Sequence, residues 1–299
     1  MTPVEDRLAA LLDDTRVDPD ELAAAYREGA EALVVAREDP SLGWRVPRLN
    51  ALVGAAHSRL FRGPRPGFGR LWHFLSRGLP RRLWDQRRAT AWAALIVLGT
   101  ALWTWGSVLT YPDAAADILP LEVLERIESR LGDGRWIESE GAGPELAASL
   151  LVHNASAAVE ACALGVLYGL GAVWRLASNG AFLGAVLAVV QLEGHALMFW
   201  SFLLPHAVVE FAAVFLAGGA GLRLGLALLQ GAGGRRAAFV EAARAAAEVM
   251  VAVAGLLAVA AILEGFVSSR GVPLAVGLAV DLVSAGALVA FLLRGRPAP

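Results

Sequence analysis

The sequence contains a single cysteine, Cys162, and no lysine, since all 26 of its basic residues are arginine. One cysteine excludes an intrachain disulfide, so no disulfide framework is implied. Charged residues make up only 18% of the chain, whereas 57% of the residues are hydrophobic. Soluble domains carry more charge and fewer apolar residues than this. The composition therefore excludes an ordinary soluble protein and indicates an integral membrane protein.

Long apolar runs separated by more polar connections follow residue 88. Six of them are candidate membrane helices, at approximately 89–110, 146–174, 179–193, 197–229, 238–266 and 272–293. A hydrocarbon core of about 30 Å requires about 20 residues at 1.5 Å per helical residue, so the third run is short for a full crossing. The sequence predicts an all-α, polytopic integral membrane protein with about six transmembrane helices, in a domain that covers residues 89–299.

The first 88 residues are more polar and contain two further regions. Residues 1–67 carry apolar side chains at helical spacing, and Asp18 followed by Pro19 is a typical helix start. Residues 68–88 mix tryptophan and phenylalanine with arginine, which is typical of a helix in the lipid headgroup layer. We predict a cytoplasmic amphipathic helical domain at 1–67 and an interfacial amphipathic helix at 68–88, which binds the lipid bilayer and no nucleic acid.

Arginine placement predicts how the chain is oriented in the membrane. Fifteen of the 26 arginines precede the first predicted span, and Arg175 falls in the predicted connection between the second and third spans. Because every second connection is basic, the positive-inside rule places both termini in the cytoplasm of a multi-pass protein of the cell (inner) membrane. The segment at 111–145 has nine acidic residues and three arginines, so we expect it outside. Within it, the stretch from Pro120 to Gly132 predicts a short amphipathic helix.

Ionisable side chains also occur inside the predicted spans, where each costs on the order of 3 kcal/mol to insert unless it faces protein or water. His206 and Glu210 are four residues apart and therefore share one helix face. Together with residues at similar depth, they predict an intramembrane polar cluster of Glu160, His206, Glu210 and Asp281. Glu248 also lies well within a span. A second polar group is expected near the outer boundary, from His153, Asn154, Glu193, His195 and Glu264.

Several functions are compatible with such a polar cluster. A metal site needs three or four ligands, and the sequence has no dense metal-binding motif, so we predict no metal and no cofactor. Intramembrane hydrolysis needs an activated nucleophile. The sequence has neither the nucleophile-elbow motif around a serine nor the paired glutamates and spaced histidines of an intramembrane protease, so we predict no enzyme. Two hypotheses stay open for the polar cluster. It conducts protons or ions along the carboxylates, or it is a structural network that fixes the helix packing.

Glycines recur four residues apart within the predicted spans. The pairs are Gly165 with Gly169, Gly180 with Gly184, and Gly221 with Gly225. Small residues at this spacing let helix backbones approach closely in lipid. The pairs predict either tight packing inside one bundle or a seam between two copies of the chain, and the second possibility leads us to expect a homodimer.

One motif is more specific than these patterns. It is the run at 199–225, FWSFLLPHAVVEFAAVFLAGGAGLRLG. The run contains an aromatic pair, Pro-His, a glutamate four residues after the histidine, and a glycine-rich C-terminal end. It resembles the stage II sporulation protein M family of bacterial and archaeal membrane proteins. The stretches at 153–171, 179–188 and 263–269 are similar to that family, and so is the N-terminal helical pattern. The motif residues carried over from the family are Pro205, His206, Glu210, Gly218, Gly219, Gly221, Arg223 and Glu264.

The resemblance implies a non-enzymatic membrane protein. The sporulation member of the family is a scaffold that recruits cell-wall hydrolases, and widespread relatives occur beside MoxR-type AAA+ ATPases. The long N-terminal region makes this chain more similar to the widespread type. We therefore expect a membrane scaffold or assembly factor of the bacterial envelope, whose partners are envelope proteins or AAA+ ATPase-associated proteins. The alternative is a membrane transporter or channel that uses the intramembrane histidine and carboxylates.

Overall fold

Helices make up nearly all of the computed structural model, which describes residues 3–14, 17–61, 68–132, 143–230 and 234–297. No β-strand occurs within these ranges, and the predicted all-α class is confirmed. The α-helices are α1 (Pro3–Asp13), α2 (Pro19–Glu38), α3 (Val46–Phe61), α4 (Phe68–His73), α5 (Leu79–Asp85), α6 (Arg87–Thr110), α7 (Ala115–Ile118), α8 (Leu121–Gly132), α9 (Pro144–Ala163), α10 (Leu170–Leu192), α11 (Ala196–Leu228), α12 (Arg235–Phe266) and α13 (Leu274–Leu293).

The chain divides into two compact units, and the first, Met1–Trp72, contains α1, α2 and α3. Asp18 caps α2, because its side chain accepts a hydrogen bond from the backbone N–H two residues later, and Pro19 follows at the first helical position. The apolar faces of the helices bury Leu8 and Leu22 in a shared core. The helix start predicted from the sequence is therefore present. The predicted domain boundary at 67 lies outside the described residues.

The second unit, His73–Pro299, contains six helices that are long and apolar enough to cross a membrane. Their number agrees with the sequence prediction, and their ranges are Arg87–Thr110, Ala147–Val166, Leu170–Leu192, Ala196–Leu228, Arg235–Arg270 and Leu274–Leu293. Because successive spans cross in opposite directions, the connections alternate between the two ends of the bundle. Helix α11 packs against α6, α9, α10, α12 and α13, and so lies at the centre.

The third span differs from its predicted bounds. The sequence predicts Arg175 in a connection and a third run that begins at 179, which makes that run short. In the structure α10 begins at Leu170, so Arg175 lies inside the helix. The helical conformation is interrupted earlier, where Tyr168 and Gly169 adopt φ angles of 55° and 83°. The arginine misled the prediction because its side chain has polar partners within the bundle, and α10, with 23 residues, is long enough to cross.

The glycine pairs of the spans are used for packing inside the chain. Gly180 and Gly184 of α10 face the backbone of α6, while Gly221 and Gly225 of α11 face the end of α9 and the turn before α10. A Cβ atom at Gly221 would overlap the carbonyl oxygen of Ala161, which shows how closely the two backbones approach. These contacts correspond to the first of the two predicted uses of the pairs, tight packing within one bundle.

Two connecting segments precede and follow α6 in the chain. The region predicted as an interfacial helix consists of α4, a π-helical turn and α5, and Leu79 and Leu83 of α5 are buried in the core of the second unit. At the other end of α6, the predicted amphipathic helix is present as α8, with Ile127 buried beside α6 and α10 residues. The remaining acidic residues predicted outside the membrane at 133–142 lie outside the described part of the chain.

Candidate functional site

The first part of the site is one face of α11. His206 and Glu210 are one turn apart, and Nε2 of His206 lies 3.7 Å from Oε2 of Glu210. The His206 side chain is 2% exposed and that of Glu210 is 23% exposed. Their spacing in the sequence is thus realised as a close pair inside the bundle. Phe202, one turn before His206, packs edge-on against the imidazole ring.

The second part of the site comes from the end of α12. Glu264 lies in the last turn of this helix, and Ser268 follows in a short 3₁₀ turn, Ser268–Arg270. Oγ of Ser268 lies 2.9 Å from Nδ1 of His206, and both residues are buried. The hydrogen bond joins residues that are 62 positions apart, so it depends on the packing of α12 against α11.

Glu264 completes a group of three polar side chains. One donor atom from each of His206, Glu210 and Glu264 lies within 4.8 Å of the other two. Glu264 is 7% exposed, and its Oε2 atom is buried without a hydrogen-bond partner among the described residues. Leaving a buried acceptor unsatisfied costs on the order of 1–3 kcal/mol, and more for a charged group. The arrangement therefore presents an unpaired carboxylate oxygen beside a histidine and a second carboxylate.

Glu160, which is predicted to lie in one cluster with His206, has different partners. Nε of Arg175 on α10 donates a hydrogen bond of 2.9 Å to Oε2 of Glu160 on α9. Nη1 of the same arginine donates to Oδ1 of Asn179 at 2.6 Å. The group within 4.8 Å contains neither Glu160 nor Asp281 among the residues described. Glu160 instead joins α9 to α10, with more than half of its side chain exposed.

Asp281 contacts α11 at a different point from the histidine pair. Its Oδ1 atom accepts a hydrogen bond of 2.9 Å from the backbone N–H of Val208. Close by, Gly277 of α13 faces the ring of Pro205, and a Cβ atom there would lie 3.2 Å from the proline Cδ. Asp281 thus binds the backbone of the turn that follows Pro205 and holds α13 against α11.

Among the residues predicted near the outer boundary, Glu193 and His195 lie in the connection between α10 and α11, whereas His153 and Asn154 lie midway along α9. Glu264 belongs to the buried group with His206 instead. His153 and Glu193 are exposed, whereas Asn154 and His195 are half-buried. His195 lines an open recess of about 390 Å³, together with Ser201 of α11. The structure therefore gives this group a partly exposed setting, in contrast to the buried position of His206.

An ion pair in the other half of the bundle was not anticipated by the sequence analysis. Nε of Arg82 on α5 donates a 2.6 Å hydrogen bond to Oε2 of Glu248 on α12. This hydrogen bond raises the pKa of the Arg82 guanidinium above its ordinary value. Next to it, Gln86 is 1% exposed and donates from Nε2 to the carbonyl oxygen of Leu216 on α11. The depth of Glu248 was a signal that it needs a partner, but nothing in the sequence identifies Arg82 as that partner.

The glycine-rich part of the motif lies beside other helices. Gly218 faces the Leu176 side chain of α10, and Gly219 faces the backbone at the start of α6. Arg223, one turn further on, has a buried Nη1 atom without a hydrogen-bond partner in the described ranges. The glycines of the motif thus serve close packing, while its His and Glu residues form the polar site.

These features define an α-helical, multi-pass membrane protein with a buried histidine and carboxylate site between its fourth and fifth spans. The model of the family described as stage II sporulation protein M matches residues 92–269, more than half of the chain. The chain belongs to this family, as the motif predicted, and the matched range includes His206, Glu210, Glu264 and Ser268. Comparisons with curated proteins and with solved structures give no match.

Proposed function

We propose that the chain is a non-enzymatic scaffold or assembly factor of the bacterial envelope. The observation that carries this proposal is how the polar groups of the bundle are paired. Glu160 pairs with Arg175, Glu248 pairs with Arg82, and Asp281 binds the backbone of α11. Each of these carboxylates joins two different helices, which is what a network that fixes one helix arrangement requires. Family membership supports the proposal, because the resemblance to the sporulation member implies a scaffold role.

The first unit is proposed to bind the partner. Val34 and Val35 on α2 are each 55% exposed, and Trp44 in the following 3₁₀ turn is 70% exposed. Exposed aromatic and aliphatic side chains on a folded helical unit are typical of the centre of a protein interface. We place this unit in the cytoplasm, with both termini, by the positive-inside rule. Envelope proteins or AAA+ ATPase-associated proteins are the proposed partners.

The experiment is co-purification of the tagged chain from native membranes. We expect the same partner to be recovered repeatedly with the unchanged chain, and to be lost with the double variant Val35→Asp and Trp44→Ala. Glu31→Ala, an exposed change on the same helix α2, serves as the matched control and should retain the partner. A chain that repeatedly comes out alone would contradict the scaffold proposal.

A homodimer remains part of the proposal. The glycine pairs pack within the chain, so a dimer would need another surface, and α13 offers Leu282 and Val283, which are 64% and 74% exposed. Mass measurement of the detergent-solubilised protein tests this point. A mass of two chains is expected, and a mass of one chain at all concentrations would contradict it.

A further inference from the structure

The oxygen Oε2 of Glu264 raises the question of what neutralises the site between α11 and α12. Glu210 and Glu264 are both carboxylates, and their oxygens lie within 4.8 Å of each other and of a histidine nitrogen. Among the described residues, neither carboxylate forms an ion pair with an arginine, and the basic neighbour of Glu210 is His206. Arg82 and Arg175 pair with other carboxylates, Glu248 and Glu160. Two ionised carboxylates at this distance repel each other, and a divalent cation between them removes the repulsion.

His206 is oriented as a metal ligand is in known sites. Its Nδ1 atom lies 2.9 Å from Oγ of Ser268, which fixes the ring and, when Nδ1–H donates, leaves the Nε2 lone pair free. That Nε2 atom is the one beside Glu210, at 3.7 Å from its Oε2. Donor atoms of a tetrahedral zinc site, at about 2.0–2.1 Å from the ion, are about 3.4 Å from each other. The histidine and the carboxylate are thus within a few tenths of an ångström of that spacing.

We propose that His206, Glu210 and Glu264 bind a divalent transition-metal ion, with Zn²⁺ as the expected occupant. This inference goes beyond the scaffold function and does not depend on it. The chemistry of the donors selects the class of ion, because imidazole favours zinc and iron over calcium and magnesium, while carboxylates accept the same metals. Three protein ligands leave a fourth position for water or for a group of a partner. No thiol belongs to the group, so soft cations such as Cu⁺ are disfavoured.

The sequence does not reveal this site because its ligands come from two separate helices. His206 and Glu210 form an i,i+4 pair, but two ligands are too few for a metal motif. Glu264 joins them only when α12 packs against α11. The bound ion would connect these two central helices, so loading should stabilise the fold as any ligand specific to the native state does.

The first test measures zinc content in the detergent-purified full chain. The protein is stripped with EDTA, incubated with ZnCl₂, desalted and measured by elemental analysis. We expect about one zinc per chain for the unchanged protein and background levels for Glu264→Gln, which keeps the side-chain volume and removes the anionic ligand. The control Glu160→Gln, a carboxylate of the same bundle that pairs with Arg175, should retain the zinc. Background zinc in the unchanged chain would overturn the proposal, as would equal zinc in Glu264→Gln, which would indicate surface histidines.

The second test identifies the ligands of the bound ion and measures the effect of the ion on stability. X-ray absorption at the zinc edge of the loaded chain should show only nitrogen and oxygen ligands, including one imidazole. A sulfur ligand would place the ion at Cys162 and overturn the assignment. Zinc should also raise the melting temperature of the unchanged chain and of Glu160→Gln by about 5 °C at a hundredfold excess over Kd. The same rise in Glu264→Gln would contradict the proposal.

Ser268 provides a third readout, because it acts through His206 and not on the metal itself. Ser268→Ala should lower zinc affinity by about 10- to 100-fold while the stoichiometry at saturating zinc stays at one. An affinity equal to that of the unchanged chain would contradict the orienting role of the serine. Ser156→Ala, which removes an exposed hydroxyl bonded within α9, is the control and should leave the affinity unchanged.

Discussion

Ser268 shows how a single small side chain stabilises the bundle. It is fully buried, and its hydroxyl is the described partner of the His206 Nδ1 atom. A buried nitrogen that loses its only partner keeps the desolvation cost without the compensating hydrogen bond. At the scale of residues, the packing of α12 on α11 therefore depends on a few polar atoms as well as on apolar contacts.

Ser268→Ala is predicted to destabilise the metal-free protein. With EDTA present throughout, we expect the free energy of unfolding to fall by about 1–3 kcal/mol, since the His206 Nδ1 atom loses its partner in a dry interior. Thermal unfolding in detergent followed by circular dichroism measures the change. Ser156→Ala removes an exposed hydroxyl that bonds only within α9 and should shift the stability by less than about 0.5 kcal/mol. Equal melting temperatures for both variants would show that His206 is solvated.

The candidate site was only partly predictable from the sequence, and the reason lies at this scale. His206 and Glu210 could be paired because the helix geometry alone determines an i,i+4 contact. Glu160 and Asp281 were grouped with them on depth alone, but depth does not specify which helix face points to which neighbour. In the structure, Glu160 forms an ion pair with Arg175, and Asp281 accepts a hydrogen bond from the α11 backbone. The residue that lies beside His206 and Glu210 is Glu264.

At the scale of elements, glycines determine how closely α11 approaches its neighbours. Gly221 faces the carbonyl oxygens of Ala161 and Cys162 at the end of α9, and Gly225 faces Gly169 in the turn before α10. In contrast, Gly255 in α12 has open space where its side chain would be. Gly221 and Gly225 therefore lie where two backbones touch, whereas Gly255 does not.

Gly221→Ala is predicted to lower the stability of the bundle, because its Cβ atom would overlap backbone that cannot move aside. Overpacking of this kind costs about 1–3 kcal/mol or more. The matched control, Gly255→Ala, adds a methyl group in a helix interior without a neighbour, and should be neutral or stabilising by up to about 1 kcal/mol. Melting temperatures of the two variants compare them directly. A Gly221→Ala protein as stable as the control would mean that α9 and α11 lie further apart than described.

The pair of Arg82 and Glu248 joins α5 to α12, and a double-mutant cycle tests it. Arg82→Glu and Glu248→Arg should each lower the melting temperature, because each places two like charges together in a half-buried site. The double variant should recover part of the loss, with a coupling free energy of about 0.5–3 kcal/mol. Strict additivity of the two losses would show that the ion pair does not contribute to the packing.

The limits of helices were predictable where composition changes sharply. The amphipathic α8 and most spans begin and end close to the expected residues, because apolar runs end at polar connections. The boundary between the second and third spans was placed too late, since Arg175 resembles a loop residue. Only its partners on α9 and α10 explain why an arginine is tolerated inside a helix.

For the molecule as a whole, six membrane helices and the family could be derived from the sequence, and both are confirmed. The physical reason is that lipid imposes a strong and simple constraint on length and hydropathy. The orientation with both termini in the cytoplasm stays a prediction from the arginines. A reporter enzyme attached to the C-terminus should be active on the cytoplasmic side. Activity on the outer side would contradict the predicted orientation.

The central claim is that the polar residues inside the bundle hold helices together and do not form a route for ions. Proton flux into vesicles that contain the purified chain tests it most directly, with empty vesicles, Glu210→Gln and Glu160→Gln compared under one proton gradient. We expect a flux equal to that of empty vesicles for the unchanged chain and for both variants. A flux above that level that Glu210→Gln removes and Glu160→Gln retains would contradict it and favour the transporter.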